Sequence, residues 1–97
     1  MKFRFKIKEY FFLQNGQIGI TGDMDPIDFP IVTIKKFKLY LISNAKILHT
    51  FTNIGEEIPS TTLRGPIIRA FRTTDDISLI LKREDLNNLY IIGESIN

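Results

Sequence analysis

Cysteine is absent from this 97-residue chain, and histidine occurs once. The first absence excludes disulfides, thiolate metal sites and a cysteine nucleophile, and it suits a reducing, cytoplasmic setting. The second excludes a zinc site built on imidazoles, and a single histidine with no carboxylate beside it in sequence makes a poor general base. No apolar run approaches the roughly 20 residues that cross a bilayer, so no membrane association is expected. The opening Met1–Lys8 alternates charge with apolar groups and holds no signal-peptide core. Neither a Gly-x-x-x-x-Gly-Lys-Ser/Thr loop nor a Gly-x-Ser-x-Gly elbow occurs, so no nucleotide, cofactor or serine-hydrolase chemistry is expected. The formal net charge of +2 is mild, which sets a low ceiling on any nucleic-acid affinity drawn from overall charge.

What the chain does have is length and apolar mass for one domain. At 43% apolar, with eight phenylalanines and three tyrosines, it can bury roughly two-thirds of its unfolded surface without staples. Phe3, Phe5 and Ile7 alternate with Lys2, Arg4, Lys6 and Lys8, which is the period of a strand with one wet face. Tyr10-Phe11-Phe12-Leu13 is expected to prolong that strand with both faces covered. Gln14-Asn15-Gly16 has the positive-φ tolerance of a hairpin turn, and Gln17–Gly22 is the returning strand. Its glycines predict a bulge or a close backbone approach. Asp23–Pro30, with two prolines and three aspartates, reads as irregular.

Residues 31–48 fit either period. Ile34, Phe37, Leu41, Ala45 and Leu48 have helical spacing, whereas Phe37, Leu39 and Leu41 suit a strand. The strand is preferred because β-branched and aromatic residues dominate and Ser43-Asn44 marks a turn. Lys46–Asn53 and Leu63–Arg72 read as further strands around a loop at Gly55–Pro59. Ile77, Leu79 and Leu81 alternate as another strand, Arg83–Asn88 is a corner or short helical turn, and Leu89–Ile92 a closing strand. The fold class is therefore all-β, a small barrel or sandwich.

Two segments carry a family likeness. Asn15-Gly16-Gln17-Ile18-Gly19-Ile20-Thr21-Gly22 resembles the glycine hairpin that opens the second domain of elongation factor Tu and related translational GTPases. Asp76–Ile92, with its Lys82-Arg83-Glu84-Asp85-Leu86 corner, is similar to the end of that domain, and Tyr10-Phe11-Phe12 sits where the family has an aromatic. The family's Gly-Asp turn is replaced by Thr33-Ile34-Lys35-Lys36, and Arg64–Arg69 does not match. The resemblance implies a six-stranded antiparallel Greek-key barrel, non-enzymatic on its own, of a type that helps hold the acceptor end of aminoacyl-tRNA. The family's contact residues fall in the unmatched middle, so none is carried over.

The candidate surface is the row Lys2, Arg4, Lys6 and Lys8, extended by Lys35, Lys36 and Lys38. Such a row can track a phosphate backbone, giving RNA or a ribonucleoprotein as partner. The explanation preferred for the lysines themselves, because the net charge is small, is that they keep an edge strand soluble and block edge-to-edge pairing. Asp23, Asp25 and Asp28 lack the glycine and distal glutamate of a calcium loop, and a solvated turn accounts for them. The aromatics alternate with the charges and are expected to point into the core, away from any stacking platform. An enzymatic site would need an aspartate, His49 and Arg64 or Arg69 to converge, and no spacing suggests it. The second function class is a structural or protein-interaction module that pairs, or self-associates, through an exposed strand edge.

Overall fold

In the computed structural model, which describes residues 1–57 and 69–96, alternation along the chain becomes a curled antiparallel sheet. Its strands are β1 (Lys2–Phe12), β2 (Ile18–Asp25), β3 (Phe37–Ser43), β4 (Lys46–Thr50), β5 (Ile54–Glu57), β6 (Arg69–Thr73) and β7 (Leu89–Ser95). They lie in the order β4-β3-β7-β1-β2-β6-β5, a seven-stranded half-barrel rather than the six strands expected. All-β is the class. Among the described residues no helix is long and apolar enough to cross a membrane.

β1 pairs on both of its edges: Arg4 lies opposite Asp25 of β2 and Ile92 of β7, and Lys6 opposite Asp23 and Tyr90. It is therefore central in the sheet, and the edge-protection account fails for Lys2, Arg4 and Lys6; beyond Lys6 the strand pairs with β2 alone. Its inward face, Phe3, Phe5 and Ile7, is at most 2% exposed. Phe71 of β6 meets Phe5 edge-on with centroids 4.9 Å apart, and Phe29 and Phe37 pack around Phe3. Offset or edge-on aromatic pairs of this kind contribute about 0.5–1.5 kcal/mol beyond their buried area.

The hairpin after β1 turns through a 3-10 segment at Gln14–Gly16, with Asn15 and Gly16 both at positive φ, the conformation expected of Asn-Gly. Before the turn, β1 itself carries a β-bulge, since the register passes from Ile7 to Glu9 and leaves Lys8 without an opposite residue. At Gly22 the Lys6 carbonyl lies where a Cβ would be, so the glycine marks a close backbone approach. Phe11 and Phe12, expected to be covered, are 47% and 52% exposed because the strand runs on past the core. β2 also continues through Asp25, so the irregular segment begins later than its prolines and aspartates suggest.

The ambiguous segment resolves to strands only from Phe37 on, residues 31–36 being an isolated bridge at Thr33 and a turn; β3 and β4 form a hairpin about Asn44 and Ala45, both at positive φ. The strand expected at Ile77–Leu81 is instead a short helix, α1 (Ser78–Arg83). Ile77, Ile80 and Leu81 are spaced i, i+3, i+4, which gathers them on one helical face. Ile77 and Leu81 are buried, whereas Leu79, which a strand would place beside them, is 76% exposed. Asp76 holds the entry by accepting from the Ser78 hydroxyl at 2.8 Å. The corner then forms as a 3-10 turn at Leu86–Asn88, with the Asp85 side chain accepting from the Asn87 amide.

A buried ion pair between the adjacent strands β5 and β6 anchors the segment that leads into β3. Arg69 of β6 donates through Nε and Nη2 to Glu56 of β5, the Nη2 contact being 2.7 Å, and also to the carbonyls of Phe29 and Pro30. Glu56 in turn accepts from the Val32 amide at 3.0 Å, and Thr33 bridges to Gly55. The segment ahead of β3 is thereby clamped to β5 and β6. Every buried hydrogen-bonding group of the pair has a partner, which is the condition under which a buried ion pair is tolerated. Removing one partner alone strands a charge at a cost of about 3–5 kcal/mol.

Candidate functional site

Because β1 is central, its outward side chains belong to a continuous outer face shared with β7, β3 and β4. The register aligns them in rows. One row runs Asp25, Arg4, Ile92, Tyr40, Thr50, and the next Asp23, Lys6, Tyr90, Ile42, Ile47. A third places Glu94 between Lys2 and Lys38. Along β3 and β7 the inward neighbours Leu39, Leu41, Leu89 and Ile91 are buried, which forces Tyr40 and Tyr90 outward by the two-residue period. The expectation that aromatics point inward therefore holds for Phe3 and Phe5 and fails for these two tyrosines.

Between the rows lies an open groove of about 710 Å³. Tyr40, Ile42, Ile47, Tyr90 and Ile92 make its apolar walls; Arg4 and Glu94 stand at one end, Asn44 and Asn88 at the other. The Arg4 guanidinium lies 4.2 Å over the Tyr90 ring, within the range of a cation–π contact. The volume falls in the range of small-ligand sites.

The sequence candidates divide on this surface. Lys2 pairs with Glu94 at 3.4 Å and Lys8 with Asp23 at 3.0 Å, so both face a carboxylate. Both pairs are well exposed and contribute little to stability. Arg4, Lys6 and Lys38 project from the face around the groove. Lys35 and Lys36 lie off the sheet, in the turn that the Lys36 amide closes on the Thr33 carbonyl. Asp23 and Asp25 stand opposite Lys6 and Arg4 rather than gathering with Asp28, and the described residues contain no cluster fit for a metal ion.

His49 does have a carboxylate, supplied by Asp75 from 26 residues away: Nε2 lies 2.8 Å from Oδ2. The carboxylate can only accept, so that ring nitrogen carries the proton. Asp75 also accepts from the Thr52 amide and hydroxyl at 2.7 and 2.8 Å and from the Asn53 amide at 3.0 Å. It thus binds the link between β4 and β5 to the entry of α1. Burial pushes the Asp75 carboxyl up, but the His49 and Thr52 hydrogen bonds outweigh it and hold the group below its ordinary range. With its acceptor capacity filled from the loop, the pair is arranged as a structural latch. Arg69, the other residue of the enzymatic alternative, is committed to Glu56, and Arg64 lies outside the described residues.

A depressed carboxylate stabilises the fold fully above its unfolded pKa of about 3.9 and loses that contribution as pH falls through its lower folded value. Asp75→Asn should therefore destabilise the protein by about 1–3 kcal/mol at pH 7, measured by urea unfolding. The gap should narrow below about pH 4 as the wild-type carboxylate protonates; a gap unchanged at pH 2.5 would contradict the latch. No family model, curated protein or solved structure matches the chain.

Proposed function

We propose that this is a non-catalytic binding module that takes RNA, alone or within a ribonucleoprotein, on the outer face of its sheet. The observation that carries this reading is the central place of β1. Arg4 and Lys6 do not protect an edge; with Lys38 they surround a groove on a continuous surface. The modest net charge means that affinity would come from this local arrangement and be salt-sensitive. The commitment of Arg69 to Glu56, which keeps it from converging with His49 and an aspartate, supports the non-enzymatic part. Kinship with the second domain of elongation factor Tu belongs to the same proposal. It is supported by the antiparallel curl, the glycine turn and the closing strand, and weakened by the seventh strand and by α1. A filter-binding titration with total RNA should give log affinity falling linearly with log salt. Replacing Arg4, Lys6 and Lys38 by glutamine should flatten the slope by about 0.7 for each phosphate that is no longer neutralised; affinity insensitive to salt would count against the reading.

A second reading rests on β4. Among the described residues it pairs only with β3, and Ile47 on it is 58% exposed. An unpaired strand edge with an exposed apolar side chain is a template for another strand, from a partner or a second copy. Sedimentation velocity across concentration tests self-pairing. It predicts a dimer that Ile47→Lys disperses, and a monomer throughout would exclude it.

A further inference from the structure

Resting on the RNA reading of this face, we infer that the groove selects unpaired nucleotides, so that single strands bind in preference to duplexes. Tyr40 and Tyr90 are half-buried on adjacent strands, and each is held by core-packed neighbours on both sides in sequence. The register Tyr40–Ile92 and Ile42–Tyr90 makes them diagonal neighbours, about 7–8 Å apart across the two strands. That is within reach of successive bases of an extended strand. Arg4, whose guanidinium lies over the Tyr90 ring, adds a second planar group of the kind on which a base can stack.

The charges are arranged to match. Within the groove Glu94 is paired with Lys2 and Arg4 faces Asp25 across the strand, so its cations are already balanced and its walls offer mainly apolar surface. Lys6 and Lys38, on strands to either side of β7, are placed to take phosphates outside it. Bases fit the apolar walls of Ile42 and Ile92, and only unpaired bases have a free face to offer. In a duplex the bases are stacked and paired, and what reaches this surface is backbone.

Fluorescence anisotropy with a labelled single-stranded oligoribonucleotide and the blunt duplex of the same sequence, at matched salt, tests this. The single strand should bind about tenfold or more tightly. Tyr90→Leu or Tyr40→Leu should remove about tenfold of that affinity while leaving duplex binding and the salt slope unchanged. Tyr90→Phe should bind as wild type. Arg4→Lys, at an exposed site where folding is not at stake, should weaken single-strand binding at constant slope, because it keeps the charge and loses the plane. Equal, salt-dependent affinity for both forms would overturn the selection and leave the RNA reading standing. Binding to neither form would overturn both.

Discussion

Two-sided pairing of β1 is the constraint from which the rest of the structure follows. A strand bonded on both edges has no freedom to slip, because a shift of one residue would drive Lys2, Arg4 and Lys6 into the core and Phe3 and Phe5 into water. With that register set, β2 and β7 are fixed on either side, and through them β6 and β3. The same pairing that buries the phenylalanines also spreads the cations over a surface with neighbours. A row of charge that would be a solubility device on an edge becomes part of a face.

The curl of that sheet is held by polar ties rather than by complete closure of the strand ladder. Arg69 and Glu56 clamp the segment ahead of β3 onto β5 and β6, and Asp75 gathers His49, Thr52 and Asn53 at the entry to α1. Both ties are fully hydrogen-bonded, which is what makes buried charge tolerable there. Both also join segments far apart in sequence, so they fix where the β3–β4 hairpin sits. The β4 side of the groove depends on that placement, whereas its floor on β7 depends on β1.

Much of the sheet is readable from period alone. Phe3-Phe5-Ile7, Phe37-Leu39-Leu41 and Leu89-Ile91 announce strands, and Asn15-Gly16 announces its turn. Alternation misleads at Ile77–Leu81, where the run is too short to separate the two periods and the helical set Ile77, Ile80, Leu81 is equally available. Tyr40 and Tyr90 are legible in principle: each sits between two aliphatics, which on a strand places it on the opposite face. Hydrophobicity alone would send both rings inward, and position in the alternation sends them out. The His49–Asp75 and Arg69–Glu56 contacts have no local signal, since only the sheet order brings those residues together. The central position of β1, which decides between edge protection and a binding face, is likewise a property of topology that no single segment encodes.

Amide hydrogen exchange followed by NMR tests the placement of β1 directly. A strand bonded on both edges protects consecutive amides, whereas an edge strand protects every second one. Arg4, Phe5 and Lys6 should all exchange slowly, in the same class as the amides of β7, while alternate amides of β4 exchange fast. Alternating protection along Arg4, Phe5 and Lys6 would put β1 at an edge and remove the basis for the outer face and its groove.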